Sequence, residues 1–371
     1  MHSIQIYQEF FLNSLLDAGI STIIIGKIEG ISLLMDPISQ GTVGAVFAQT
    51  ISSKKDIVKI TVIGCLAGMA PDLDILIQSR EDPILFLEYH RQFTHSLIFI
   101  PFGSLFLSLI IFPFLKRSIS FKVIFAASFL GYATHGLLDA CTSYGTQLFW
   151  PFSDERISWN NVSIVDPLFT IPIGILIAFS ITKRNKKFSF LAIGWVIIYL
   201  LFGFFQYERA YSSAKDLANS RSHNADRLTL KPSFGNLVLW KAIYQHEGIY
   251  FVDAIRAGFQ LSWCPGETIE KLQFSEHLPA LDLNSQQAKD INRFRWFSQD
   301  YLGYDREKDL VADIRYSMVP NEIEPMWGLL IDRDAALSQH ASWWTSRHLD
   351  QSQLQKFQRM LTGDSCGLNF N

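Results

Sequence analysis

Long uncharged apolar runs fill the first half of the chain, each bounded by polar or basic residues. A helix needs roughly 20 apolar residues to cross about 30 Å of hydrocarbon. Two runs reach nearly that length, two are slightly shorter or polar at one end, and the first two are short enough to be tilted or partly buried. The six runs are Ile38–Ile51, Ile57–Ala70, Leu97–Leu115, Val123–Ala140, Pro167–Ile181 and Phe188–Phe205.

Basic residues cluster in three short loops at alternate turns of the chain, beginning at Lys54, Lys116 and Lys183. The positive-inside rule places such loops in the cytoplasm. The other helix ends, and everything after Tyr207, then lie outside. We therefore expect a mostly α, multi-pass membrane protein with about six transmembrane helices and a C-terminal extracytoplasmic α+β domain. A soluble protein with buried core helices is the alternative, which the uncharged runs bounded by basic loops disfavour.

Composition divides the chain into three parts. Residues 1–34 mix charged and apolar residues without a signal-peptide pattern. They are either an amphipathic surface helix or upstream sequence before a start at Met35. Residues 35–205 form the predicted membrane domain, and residues 206–371 read as a soluble domain. Its predicted elements are a hairpin of Leu237–Tyr244 and Ile249–Arg256, a helix over Ser285–Phe297, strands over Leu310–Ser317 and Met326–Asp332, and a helix over Ser342–Leu361.

Charge and cysteine usage exclude some classes of site. The net charge of −3 argues against nucleic acid as a partner, because phosphate binding needs a dense basic face. The four cysteines form no CxxC pair, so a zinc ribbon or thioredoxin-type site is unsupported. Cys264 and Cys366 are able to form a disulfide if the soluble domain is extracytoplasmic.

Carboxylates and imidazoles gather at the predicted outer end of the bundle. His135 and Asp139 are four apart in a helix, so both project from one face and are able to share a zinc-sized ion; a plain His–Asp hydrogen bond is the alternative. Ionisable groups near a bilayer are costly unless paired, solvated or bound to a cation. Their convergence therefore predicts a divalent metal, and mixed His and carboxylate ligands suit Zn²⁺ or Mn²⁺ better than Ca²⁺.

Four motifs in order, Met35-Asp36-Pro37, Pro71–Asp74, His90–Ser96 and His135–Gly145, resemble those of the YdjM-type family of membrane-bound metal-dependent hydrolases. The resemblance covers about residues 35–210 and implies an inner-membrane location. The pattern is also distantly similar to zinc-dependent phospholipase C. Gln40 departs from the family, many members of which carry His there, and this weakens the expectation of a second or third metal. The metal ligands that the resemblance implies are Asp36, Asp72, Asp74, His95, His135 and Asp139.

The residues around these ligands suggest a reaction. The planar guanidinium of Arg91 suits a phosphate oxygen, although a headgroup or carboxylate contact would also explain it, and His90 beside it is the second expected catalytic residue. Thr142, Ser143 and Tyr144 are expected to bind substrate, or simply to cap a helix. An outward-facing site favours metal-dependent hydrolysis of a phospholipid or lipid-linked phosphate through a metal-activated water. The alternatives are a metal carrier or assembly factor without turnover, and a structural cluster serving a working soluble domain.

Overall fold

The computed structural model describes residues 37–347, 350–364 and 368–369, and residues 35–371 form one compact unit. Residues 1–34 and Asp36, on which two predictions fall, lie outside the described residues. Short 3₁₀ turns over Ala70–Leu76, Phe93–His95 and Leu97–Phe99 join the first helices. The helices are α1 (Pro37–Gln49), α2 (Ile57–Met69), α3 (Leu85–Tyr89), α4 (Ile100–Leu115), α5 (Phe121–Cys141), α6 (Pro167–Thr182), α7 (Lys187–Ser220), α8 (Phe274–His277), α9 (Gln286–Phe297) and α10 (Gln351–Thr362).

Each of the six predicted apolar runs contains a helix. Three helices are long and apolar enough to cross a membrane, namely Leu97–Leu115, Phe121–Cys141 and Lys187–Ser220, and α6 is a shorter apolar helix. The two earliest helices, α1 and α2, have 13 residues each. The structure therefore supports a helical membrane bundle, and the number of six crossings stays a prediction.

Glycines allow α1 and α2 to pack backbone against backbone. A Cβ on Gly44 would lie 2.5 Å from the carbonyl oxygen of Gly64, and one on Gly68 would lie 2.5 Å from that of Gln40. Small residues at such spacing let membrane helices approach closely. Because α1 also packs on α5 and α6, most of its residues lie inside the bundle, whereas α2 keeps an exposed apolar face at Val58, Val62 and Leu66.

Two antiparallel sheets form the C-terminal domain. The first has the order β1 (Thr229–Pro232), β2 (Leu239–His246), β3 (Ile249–Ala257), β4 (Leu261–Glu270) and β9 (Leu368–Asn369). The second has the order β5 (Leu302–Asp305), β6 (Leu310–Asp313), β7 (Trp327–Leu330) and β8 (Ser342–Thr345).

The predicted hairpin is confirmed by β2 and β3, whose register joins His246 to Ile249. The predicted helix over Ser342–Leu361 is wrong at its start, because Ser342–Thr345 pairs with β7 as a strand. The helix begins only after Asp350, which caps it with a reciprocal hydrogen bond to Gln353.

Segments of the bundle are built into the C-terminal domain. Ile84 and Leu87, from the loop that leads to α3 and from α3 itself, belong to the hydrophobic core formed by α9 and the second sheet. Tyr144, just after α5, packs against the same core. Helix α7 continues to Ser220 and packs on the first sheet. The polar loops at this end of the bundle therefore contact both the bundle helices and the C-terminal domain.

Candidate metal centre

Two 3₁₀ turns and the end of helix α5 bring four of the predicted ligands together. Asp72 lies in the 3₁₀ turn directly after α2, and His95 ends a second 3₁₀ turn before α4. His135 and Asp139 lie one turn apart near the end of α5. Between them, Gly136 allows the approach of the His95 segment, because a Cβ there would lie 2.2 Å from the His95 carbonyl oxygen.

Four ligand atoms converge, all of them in buried side chains and within 4.8 Å of one another. His95 Nε2 lies 2.9 Å from His135 Nε2, 3.4 Å from Asp72 Oδ1 and 3.2 Å from Asp139 Oδ2. His135 Nε2 lies 3.3 Å from Asp72 Oδ1 and 3.6 Å from Asp139 Oδ2. Tetrahedral zinc with bonds of about 2.0–2.1 Å holds its ligand atoms about 3.3 Å apart. The observed separations match that spacing.

The outer ring nitrogens fix the imidazole tautomers. His135 Nδ1 lies 2.6 Å from the carbonyl oxygen of Gly68, which can only accept, so Nδ1 carries the proton. His95 Nδ1 lies 2.9 Å from Thr94 Oγ1 and 3.2 Å from Asp74 Oδ2. Thr94 donates its own hydrogen to Asp74, so His95 Nδ1 is also a donor. Both Nε2 atoms therefore present lone pairs to each other and to two carboxylates.

Such a group of lone pairs requires a cation at its centre. Burial lowers the pKa of His95, but Asp74, Asp139 and Asp72 raise it more, so that its pKa lies well above the usual range. The carboxylates that hold a proton on His95 would also stabilise a metal ion at this position. Two imidazoles and two carboxylates are a donor set that suits Zn²⁺ or Mn²⁺, so the residues fit the implied ion.

Asp74, predicted as a ligand, lies one layer outside this group. Its Oδ1 accepts from His90 Nδ1 at 2.7 Å. Its Oδ2 accepts from the Arg91 backbone N–H at 3.0 Å and from Thr94 Oγ1 at 2.6 Å. Burial raises the pKa of Asp74, but His95 and His90 lower it more, so the carboxyl group is held ionised. Asp74 thereby orients the two histidines.

His90 presents one nitrogen without a partner. Nδ1 donates to Asp74, so the buried Nε2 carries a lone pair, and within the described residues nothing hydrogen-bonds to it. The His90 and His95 ring centroids are 5.8 Å apart. His90 therefore adjoins the four-ligand group without belonging to it.

Arg91 combines a strained backbone conformation with a guanidinium that lacks hydrogen bonds among the described residues. Its φ of 64° lies in the left-handed region, which is rare for a side chain of this size. The guanidinium is fully buried, with Nε 3.4 Å from Asp139 Oδ2 and its carbon 5.0 Å from the Tyr144 ring centroid. In the part of the chain that the structure describes, Nη1 and Nη2 have no hydrogen-bond partner. A buried guanidinium with two such Nη atoms beside the four candidate ligands suits an anion.

Gln40 holds one of the four candidate ligands in place. Its Nε2 donates to Asp139 Oδ1 at 2.6 Å, which leaves Oδ2 directed at the ligand group. The sequence marks Gln40 only as a departure from a pattern. The structure gives it the role of orienting a ligand.

The three predicted substrate-binding residues have different surroundings. Thr142 Oγ1 donates to the Asp139 carbonyl oxygen at 2.7 Å and ends α5. The Ser143 carbonyl oxygen accepts from Tyr316 Oη at 2.6 Å and from Lys231 Nζ at 3.0 Å. Tyr144 lies between Arg91 and Tyr316, whose ring centroid is 4.9 Å away. Tyr144 contacts the side chain of Arg91 directly.

Arg156 supports the site and has no signal in the sequence that singles it out. Its guanidinium donates to the carbonyl oxygens of His90 at 3.3 Å and of Gly145 at 3.1 Å. Burial, and then the nearby Arg91 and Arg315, lower the pKa of Arg156 to about 9. Arg156 therefore lies close enough to Arg91 and Arg315 for their positive charges to act on it.

Comparisons with known proteins agree with the motifs. Residues 35–210 match the model of the YdjM inner membrane protein family. The chain is also 26% identical over 138 residues to the uncharacterized protein YfhP of Bacillus subtilis (strain 168), an alignment that covers 37% of this chain and 42% of that relative. No solved structure matches the chain. The resemblance drawn from the motifs is confirmed, and residues 35–210 belong to the YdjM inner membrane protein family.

Proposed function

We propose that the protein is a membrane-embedded metal-dependent hydrolase that cleaves a phosphate ester of a lipid or lipid-linked substrate at the outer face of the inner membrane. The proposal is carried by the convergence of Asp72, His95, His135 and Asp139 beside the Arg91 guanidinium, whose two Nη atoms have no hydrogen-bond partner among the described residues. Those four residues would hold the ion. When bound, a divalent ion supplies Lewis-acid activation of water and of a phosphoryl oxygen.

The chain's own residues provide the remaining chemistry. Arg91 Nη1 and Nη2 bind two non-bridging oxygens of the phosphate, which a planar fork does in bidentate fashion. His90, whose Nδ1 is fixed by Asp74, accepts at Nε2 a proton from the attacking water. The water oxygen bonds to phosphorus, the bond to the leaving oxygen breaks, and His90 returns the proton to that oxygen.

Two observations support the proposed orientation. Arg184 donates to the Lys54 carbonyl oxygen and Lys186 to that of Thr50, so two of the basic loops meet at the end of the bundle opposite to the site. Basic loops favour the cytoplasm. In addition, Cys264 is disulfide-bonded, which favours an oxidising compartment for the C-terminal domain. Cys366, its predicted partner, lies outside the described residues.

The test is hydrolysis by the zinc-loaded protein in nanodiscs that contain phospholipid and lipid-linked phosphate substrates, measured as release of phosphate or of a phosphorylated headgroup. Wild type is compared with Arg91→Lys and His90→Gln, and with Arg80→Lys, an exposed arginine, as the matched control. We expect roughly 100-fold or greater loss for His90→Gln, as is usual for a general base, and full activity for the control. Zinc bound without hydrolysis of any substrate would favour the metal-carrier or assembly-factor alternative instead.

A carrier is disfavoured by where the ionisable groups lie. Transporters place their ion and substrate sites near mid-membrane, at breaks in several helices. In this protein the ligands sit at the ends of α2 and α5 and in the turn before α4, at one end of the bundle. That placement suits a site that takes its substrate from the membrane surface.

A further inference from the structure

Two loop tips of the C-terminal domain carry fully or largely exposed phenylalanines. Phe259, in the turn between β3 and β4, has a relative exposure of 109%, and Phe234, between β1 and β2, has one of 64%. A large apolar side chain so exposed on a folded domain indicates a surface that something else covers. The membrane helices that each loop contacts indicate what covers the exposed phenylalanines.

The Phe259 loop is fixed where α7 leaves the apolar layer. Phe188–Phe205 supplies roughly 18 residues, or about 27 Å at the helical rise, and matches about 30 Å of hydrocarbon. The next turn of α7 holds the loop through two hydrogen bonds to its backbone. Gln206 Nε2 donates to the Ala257 carbonyl oxygen at 2.7 Å, and Arg209 Nη2 donates to that of Gly258 at 2.7 Å.

The Phe234 loop is fixed at the corresponding end of α6. The Gly235 backbone N–H donates to Ser163 Oγ at 3.1 Å, and a Cβ on Gly235 would lie 3.8 Å from Pro167, the first residue of α6. Leu168, in the first turn of that helix, is 60% exposed, as expected for a lipid-facing side chain. Both tips therefore lie at the level where apolar helix surface begins.

A third aromatic group lies at the same end, beside the 3₁₀ turn that precedes α4. The Leu97 backbone N–H donates to the Leu148 carbonyl oxygen at 3.0 Å, and the next residue, Phe149, and Phe152 are both exposed. Phe side chains exposed at this level are able to bury at the boundary between headgroups and acyl chains, as the apolar faces of interfacial segments do. Three helices of the bundle thus share an aromatic boundary, and two of its three parts come from the C-terminal domain.

We propose that Phe234 and Phe259 insert into the interfacial layer of the same bilayer that holds the bundle, so that the C-terminal domain docks on the lipid surface as well as on α6 and α7. The docking sets the depth of the candidate metal centre relative to the headgroups. It does not depend on hydrolysis, because it follows from where the loops are fixed.

The experiment places a nitroxide label at Phe259→Cys and Phe234→Cys in the full-length chain, in nanodiscs of phosphatidylethanolamine and phosphatidylglycerol. Cys65 is replaced by Ser, while Cys141 is buried and stays. Glu247→Cys is the matched control, because Glu247 is exposed at the opposite end of β2 and β3, roughly 25 Å away over the eight residues of β2.

We expect labels at 259 and 234 to collide several-fold more with oxygen, relative to a water-soluble nickel chelate, than the label at 247 does. Equal collision ratios at all three positions would overturn the proposal. Spin–spin broadening that disappears on dilution with unlabelled protein would overturn it too, since a second copy would then cover the tips. If Phe259→Cys fails to assemble, Gln260→Cys samples the same loop.

Discussion

Two fully buried Arg–Asp pairs, one in each half of the molecule, differ in how completely their atoms are used. In the C-terminal domain, Asp313 accepts from Arg315 Nε at 2.9 Å and Nη2 at 2.7 Å, and from Trp327 Nε1 at 3.2 Å. In the bundle, Asp139 Oδ2 meets Arg91 Nε at 3.4 Å, and neither atom has a hydrogen bond among the described residues.

Burial alone therefore does not identify a functional charge in this protein. Unpaired buried charges are expensive, so a pair with complete hydrogen bonding stabilises the domain. A pair with unused atoms indicates a place for a ligand. The Asp313–Arg315 pair is the structural reference against which the Asp139–Arg91 pair can be tested.

The largest contrast is expected in metal content. Asp139→Ala removes one of four ligand atoms and should weaken zinc affinity by more than roughly 100-fold, because loss of even an outer-shell partner costs 10–100-fold. Asp313→Ala should leave the zinc content of the folded protein unchanged. Mass spectrometry of purified variants measures both. Zinc retained by Asp139→Ala would show that the four residues are not its ligands.

The opposite contrast is expected in stability. Asp313→Ala leaves Arg315 buried without its partner, so it should lower the free energy of unfolding by about 3–5 kcal/mol. In metal-free protein, Asp139→Asn removes the carboxylate beside Arg91 and His95, but the Arg91–Asp139 contact carries no hydrogen bond, so the destabilisation should be smaller than for Asp313→Ala. Thermal unfolding in detergent, with and without a chelator, provides the comparison. A destabilisation of metal-free Asp139→Asn as large as that of Asp313→Ala would mean that the cluster is structural.

Metal affinity should depend on pH in the bundle. The pKa of His95 is raised, so metal-free protein keeps a proton on His95 below that pKa. Binding of an ion must release this proton. Affinity is thus expected to fall about tenfold for each pH unit below the raised pKa. Calorimetry in buffers of different ionisation enthalpy counts the released proton. Affinity independent of pH from about 6 to about 7.5 would contradict the assigned protonation.

The smallest effect is expected from an orienting residue. Gln40→Leu removes the hydrogen bond to Asp139 Oδ1 but leaves all four ligands, so zinc affinity should fall by about tenfold. Gln49→Leu is the matched control, because this buried glutamine bonds Thr61 and not a ligand. Equal zinc affinities in the two variants would remove Gln40 from the site.

The sequence predicted the elements that local patterns dictate. The apolar runs give the helices of the bundle, and alternation around Gln245–Gly248 gives the β2–β3 hairpin. The prediction failed at Ser342–Thr345, where pairing with β7 overrides local preference. Arg156, Lys231 and Tyr316 could not be found because their roles are hydrogen bonds to backbone carbonyls of distant segments.

By itself, the sequence determined which candidate ligands its four motifs carry, because imidazole and carboxylate groups are among the side chains that bind a zinc-sized ion. The tertiary structure decided which of these side chains converge and which one orients its neighbours. Asp72, His95, His135 and Asp139 converge, whereas Asp74 turns both oxygens to neighbouring donors. Metal binding depends on separations of a few ångströms between segments that are far apart in the chain, and only the packing of α2, α5 and the turn before α4 against one another fixes these.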